Sequence, residues 1–330
     1  MTVDVAPWID RCVAQLQEMG AIRSPAVERA FRRVPRHRLV ESFYDDPAPP
    51  ERARLPRGPI QHVLITHDPD NPTPEHLDIL YADRAVATRV AGGWATSSTS
   101  QPALVAGMLE LLELSPGLTV LEIGAGTGYN AALMAEIVQD QSRIVSLDIQ
   151  SDVVEQTRRL LAAAGYPNVN VLLRDGFAGA PETAPYARIV ATVGCSDLSP
   201  HWVEQLRPEG FMLIPLIHGG WHPLVRVWRE GDRVMGRVVA PSGFMSIQGT
   251  MATLGPWPHR QNGSLAPDMA KAQRLPLWDG FEPERFSPEW AGAYAGFYYF
   301  LALRDRRIFS RVLRPRGYGL YDSEAGSVLI

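Results

Sequence analysis

Residues 119–129 read Thr-Val-Leu-Glu-Ile-Gly-Ala-Gly-Thr-Gly-Tyr. An apolar, β-branched run from Val120 to Ile123 meets a loop holding Gly124, Gly126 and Gly128, and a helical pattern begins at once over 130–138. Strand, tight turn and helix follow from that order. Glycine lets the backbone take positive φ and approach a ligand that a Cβ would block. The helix start then offers free N–H groups to an anionic part of that ligand. Glycine spacing alone is shared by nicotinamide, flavin and S-adenosylmethionine (SAM) sites, so the flanking residues must decide.

Outward from this stretch the chain alternates. Strands are predicted at 143–147, 169–173, 188–192 and 210–215, with helices at 103–114, 153–164 and 200–206. Strands joined by crossover helices imply an α/β fold with a doubly wound, mostly parallel sheet. Residues 224–229 and 233–239 flank Gly231-Asp232 and predict a closing antiparallel hairpin. A short strand is expected at 244–248. Upstream, Trp8, Cys12, Leu16 and Met19 predict one helix, and Ser24-Pro25 starts a second. Residues 45–76 hold eight prolines and read as a long surface connection. Downstream, Ser287-Pro288 opens a helix with an aromatic stripe at Trp290, Tyr294, Phe297 and Tyr298, and 318–330 read as a terminal hairpin. The division expected is an N-terminal helical region (1–93), a cofactor-binding core (94–250) and an accessory region (251–330).

Composition bounds the partners. The 330 residues carry a net charge of −4, which argues against a nucleic-acid partner. Lys271 is the only lysine, so the positive charge is nearly all arginine. Cys12 and Cys195 are distant and lack metal-ligand company, so neither a disulfide framework nor a metal site is expected. No signal peptide or membrane-length apolar run is evident, which predicts a cytoplasmic chain without a membrane partner.

Three features sharpen the glycine loop. Asp148 ends the second strand, where a carboxylate accepts from both hydroxyls of a ribose. Asp175-Gly176 follows the third strand at the same sheet edge; the carboxylate suits an exocyclic adenine amine and the glycine leaves room for the ring. Glu122 suits a ligand carrying an ammonium, as SAM does, and sits poorly beside a dinucleotide pyrophosphate. Thr192 to Cys195, including Val193 and Gly194, follow a strand and are candidates to line an acceptor pocket.

The stretch 120–135 closely resembles the SAM-binding motif of the protein-L-isoaspartate O-methyltransferase family. The resemblance extends to Arg174-Asp-Gly-Phe-Ala-Gly179, Ala184-Pro-Tyr186 and Gln205-Leu-Arg-Pro-Glu-Gly210, and upstream to Phe31-Arg-Arg-Val-Pro-Arg-His37 and Tyr81-Ala-Asp83. Ser98-Thr-Ser-Gln-Pro102 is similar to the family's Ile-Ser-Gln-Pro motif, which carries the functional serine onto Ser100. The resemblance implies a class I methyltransferase fold and SAM as cofactor, with S-adenosylhomocysteine as product. It implies cofactor contacts at Glu122, Gly124, Ala125, Gly126, Gly128, Tyr129, Asp148, Ile149, Asp175, Gly176 and Phe177. Thr99 and Gln101 flank Ser100 on the substrate side. Two departures stand out: Thr99 replaces a typical Ile, and Arg174 a typical Gly. The long C-terminal extension is similar to relatives that tailor ribosomal peptides.

The implied reaction is esterification of an Asp or isoaspartate carboxylate in a peptide or protein, the ester collapsing to a succinimide. A carboxylate is ionised at neutral pH and needs no general base, which fits the lack of any Ser-His-Asp or paired-carboxylate signature. Small-molecule methylation, non-catalytic SAM binding and a nicotinamide dehydrogenase stand as alternatives. Oligomeric state is not legible in the sequence.

Overall fold

The structure is a computed structural model that describes residues 3–45, 63–91, 94–217 and 222–252, with the backbone of 308–313, 317–322 and 327–329. Its centre is a seven-stranded sheet in the order β11-β10-β9-β8-β5-β6-β7. The strands are β5 (Val120–Ile123), β6 (Ile144–Asp148), β7 (Asn170–Leu173), β8 (Tyr186–Ala191), β9 (Leu206–Pro215), β10 (Pro223–Glu230) and β11 (Arg233–Pro241). β5 to β9 pair in parallel, and β10 and β11 add antiparallel as the predicted hairpin. The chain runs from β5 outward to β6 and β7, then returns to place β8 on the other side of β5. Ligand crevices form at such a reversal, beyond the carboxyl ends of the strands.

β5 shows how the sequence builds both sheet faces. Leu121 and Ile123 join one buried cluster with Ile189, Met212 and Trp202, while Val120 joins the other with Ala131, Leu133 and Leu213. Burying each aliphatic side chain contributes roughly 1.5–3 kcal/mol. Helix α5 (Tyr129–Val138) is apolar on nearly every side because the N-terminal helix α2 (Pro25–Arg33) covers its outer face. α1 (Ala6–Glu18) packs beside α2 in the same cluster. Ser24 caps α2 by accepting from the Val27 N–H at 3.3 Å, as Ser24-Pro25 foretold.

Residues 45–76, expected as a long surface connection, contribute to regular elements, the last of which reaches the core through Leu77 and Leu80. β1 (Ser42–Asp45) pairs with β2 (Val63–Thr66), and helix α3 (Pro74–Leu80) follows. β3 (Val86–Ala91) and β4 (Trp94–Thr99) complete an antiparallel sheet in the order β2-β1-β3-β4. Thr73 caps α3 through the His76 N–H, with Pro74 in the first turn. That is the same sequence signal as Ser24-Pro25, and it lay inside the proline-rich stretch. The β3–β4 pairing spans residue 93, and one buried cluster runs from Cys12 to Leu224. Residues 244–248 form no ladder strand; Ser246 makes a single bridge to Gly194.

At the C-terminal end, β12 (Ile308–Leu313), β13 (Gly317–Asp322) and β14 (Ser327–Leu329) form a small antiparallel sheet, and β13–β14 is the expected terminal hairpin. The helix expected from Ser287 lies outside the described residues. Among the described residues, no helix is long and apolar enough to cross a membrane.

Candidate active site

A cavity of about 590 Å³ opens at the carboxyl ends of β5, β6 and β8. One side of its lining comes from Gly124 to Thr127, Asp148, Ile149, Gln150, Gly176 and Ile247, the other from the antiparallel sheet and the residues that follow it, through Val86, Ala87 and the run from Ala95 to Gln101. Glu122, Tyr129, Asn130, Thr192 and Val193 line it as well.

The three glycines of the loop do different work. Gly124 has φ +101°, and a Cβ there would sit 2.9 Å from Thr192 Oγ1 and Val193 Cγ1. The backbone therefore passes tightly under the loop that follows β8. Thr192 secures this crossing by donating to the Gly124 carbonyl at 2.6 Å. Gly128 caps α5 with φ +80°, and a Cβ would strike Leu161 and Thr157 at 2.9 Å. Its role is to let α5 approach α6 (Ser151–Ala163); it is not on the cavity wall.

Asp148 ends β6 and lines the cavity. Its carboxylate accepts from the Gly126 N–H at 3.2 Å and the Gln150 N–H at 3.0 Å. Each oxygen keeps acceptor capacity for a ligand. Burial raises its pKa, opposed by those backbone donors. Ile149, 38% exposed, offers an apolar edge beside it.

Glu122 is fully buried. Asn130 Nδ2 donates to Oε1 at 2.7 Å and Ser146 Oγ to Oε2 at 2.5 Å. Burial pushes its pKa up to about 7 against the pull of these two donors. An ammonium at this wall would favour the ionised form. Asn130, one residue into α5, and Ser146, paired with Glu122 across the ladder, were not singled out in the sequence. Gln150 was also missed; its side chain donates to the Thr96 carbonyl at 3.1 Å and ties the β6 end to β4.

Ser100 lines the same cavity. Its loop is fixed from both sides. Arg36 donates to the Ser100 carbonyl at 2.8 Å. Gln101 Nε2 donates to Asp83 at 2.8 Å, and Asp83 also accepts from the Ala103 N–H at the start of α4 (Pro102–Leu111). The Tyr81-Ala-Asp83 motif thereby acquires a physical role. Thr99 is 1% exposed, lines the cavity, and its hydroxyl has no hydrogen-bond partner among the described residues.

Four further candidates, like Gly128, are not among the residues lining the cavity. The Asp175 carboxylate accepts from Phe177 N–H at 3.0 Å and from the N–H and hydroxyl of Thr250, both at 2.8 Å. Burial alone would raise its pKa, but these donors outweigh it and hold the group below the usual carboxylate range. Asp175 is a clasp for the 249–251 turn, and Gly176 takes the place beside the cavity. Phe177 packs edge-on against His201, with ring centroids 5.0 Å apart. Gly194 lies behind the wall, its N–H donating to the Met245 carbonyl at 2.7 Å. Cys195 is fully buried in the second cluster, where burial raises its thiol to about 12. What Gly194 holds in place is the segment 243–248, which forms much of the wall and was read only as a short strand.

Comparison with known proteins fits this geometry. The family profile "Protein-L-isoaspartate(D-aspartate) O-methyltransferase (PCMT)" matches residues 69–251. A protein-L-isoaspartate O-methyltransferase of Pyrococcus horikoshii is 36% identical over 227 residues, covering 69% of this chain and 83% of that one. A solved protein-L-isoaspartate O-methyltransferase superposes with a TM-score of 0.59 at 25% identity, over 74% of this chain and 68% of the other. A Plasmodium falciparum chain described as the same type of enzyme, crystallised with S-adenosyl-L-homocysteine, shares the fold with a TM-score of 0.55 at 16% identity, over 72% and 97%. The chain belongs to the protein-L-isoaspartate(D-aspartate) O-methyltransferase family and is an S-adenosylmethionine-dependent carboxyl methyltransferase.

Proposed function

We propose that this chain esterifies the side-chain carboxylate of aspartate, or the free carboxylate of isoaspartate, in a peptide or protein. One observation carries the reading: the glycine loop, Asp148 and Ser100 line a single cavity. A Cβ on Gly126 would stand only 3.3 Å from the Ser98 carbonyl, so the glycine loop and the segment leading to Ser100 are close neighbours.

The residues beside the glycine loop suit the cofactor. Asp148 would accept from the ribose hydroxyls, Ile149 would cover the adenine edge, and Glu122 would meet the ammonium. S-adenosylmethionine, when bound, supplies a methyl already activated by its sulfonium. Ser100 would donate its hydroxyl proton to one oxygen of the acceptor carboxylate and turn the second oxygen toward the methyl. No proton has to be removed, because a carboxyl group with a pKa near 4 is already ionised. Alignment and exclusion of water therefore make up most of the protein's contribution, and the 243–248 segment closes the wall against solvent.

The ester leaves the backbone nitrogen of the next residue in reach of an activated carbonyl. Attack by that nitrogen forms the C–N bond of a succinimide, the C–O bond breaks, and methanol leaves carrying the amide proton. The substrate is either a range of damaged proteins or one dedicated modified precursor peptide.

Incubating the chain with SAM and either an isoaspartyl or an aspartyl peptide tests this. Mass spectrometry should reveal gain of one methylene, then loss of one water relative to the starting peptide. Turnover of many unrelated isoaspartyl peptides supports repair, and turnover of one modified peptide supports tailoring. Absence of both mass changes with every peptide carboxylate would sink the proposal.

A further inference from the structure

Arg36 poses a physical puzzle. Its side chain is 1% exposed, and its Nε and one terminal nitrogen have no hydrogen-bond partner among the described residues. Among the described residues no carboxylate lies within ion-pair distance of it; Asp83, an acidic group that acts on it, spends its two oxygens on Gln101 and Ala103. The other terminal nitrogen of Arg36 donates to the Ser100 carbonyl at 2.8 Å, and the guanidinium lies beside Tyr129, 5.0 Å from the ring centroid. Both Ser100 and Tyr129 line the cavity. Taking a cation out of water without an anionic partner opposes folding. Such a group is explained if the missing anion arrives with a ligand.

We propose that Arg36 is a positioning residue that fixes Ser100 from behind and supplies a buried positive charge favouring an ionised acceptor carboxylate, at a net cost to the stability of the free protein. The inference rests on the reading of Ser100 as the acceptor side of the cavity. A positive charge behind a low-dielectric wall acts on an anion in front of it more strongly than it would through water. The Ser100 peptide, whose carbonyl points at the guanidinium, is held in one orientation by the same contact.

Three variants and two peptides test it. Arg36→Met keeps the volume and removes the charge, Arg36→Gln keeps a donor without charge, and Arg36→Lys keeps the charge. Each is measured for melting temperature, SAM affinity by calorimetry, and affinity for an isoaspartyl hexapeptide and its asparaginyl counterpart, which is neutral at the acceptor position. The expected result for Arg36→Met and Arg36→Gln is about a tenfold or greater loss of the preference for the charged peptide. SAM affinity should stay within about twofold, and Arg36→Met should melt no lower than the wild type. Arg36→Lys should restore most of the preference. An unchanged preference in both neutral variants, or a lower melting temperature for Arg36→Met, overturns the inference. If the wild type itself turns over no peptide, the functional reading has failed; if it does and only the preference is unmoved, Arg36 alone is wrongly assigned.

Discussion

The two sides of the cavity are built by different means. The side proposed for the cofactor is a product of the parallel sheet: β5, β6 and β8 stop at one edge, β6 ends in Asp148, and local loops deliver Gly124 and Thr192. The side proposed for the acceptor is assembled across long stretches of chain. Ser100 follows an edge strand of the smaller antiparallel sheet and is held by Arg36, 64 residues away, while Asp83 secures its neighbours and 243–248 supplies the remaining wall. A binding side can be encoded by a contiguous motif, whereas an acceptor side that varies with substrate is free to be stitched from distant segments.

If the two sides are separable, substitutions at one should spare the other. The largest effect is expected from Ser100→Ala. A hydrogen bond to a charged group is worth up to about 3 kcal/mol, so turnover should fall on the order of 100-fold, with SAM affinity unchanged by calorimetry. Loss of SAM binding in this variant would break the comparison. Next is Asp148→Ala, which removes the ribose acceptor and should weaken SAM by about 30-fold, or roughly 2 kcal/mol. Peptide affinity, measured with S-adenosylhomocysteine at saturation, should be unaffected.

Glu122→Gln should weaken SAM by about 5- to 10-fold at neutral pH, within the range of one charge-assisted contact. It also carries a pH signature. The folded-state pKa near 7 lies above the ordinary carboxyl value of 4.5, so the folded protein holds the proton more tightly than the unfolded chain. The stability this gives is fully present below pH 4.5 and is lost as pH rises through about 7. Ligand-free wild type should therefore lose more stability than Glu122→Gln between pH 5 and pH 8, as read from denaturant midpoints. Cys195→Ala should have the smallest functional effect, leaving both affinities within about twofold while costing on the order of 1 kcal/mol of stability from its buried site.

Legibility in the sequence follows the same division. The parallel sheet announced itself through alternating apolar strands and helices, and Gly124 and Asp148 lie where strand-end logic puts them. Asp175 was misjudged because its fate depends on Thr250, 75 residues later, and no local spacing records that capture. Cys195 was misjudged because the chain dives back into the core right after Val193, where Cys195 N–H donates to the Pro215 carbonyl. The antiparallel sheet stayed hidden for a compositional reason. β1 and β2 are four residues each and separated by a proline-rich run, and β4 passes through Thr96, Ser97, Ser98 and Thr99, which has no apolar alternation. Ser100 is a candidate through family resemblance alone, and nothing local to it marks the guanidinium behind it.

The most direct measurement is a crystal structure of the chain with S-adenosylhomocysteine and an isoaspartyl peptide. The ribose hydroxyls should lie on Asp148, the amine should face Glu122, and the acceptor carboxylate should sit about 3 Å from the Ser100 hydroxyl. A carboxylate bound away from Ser100, or a cofactor seated elsewhere than over Gly124 to Thr127, would contradict that arrangement.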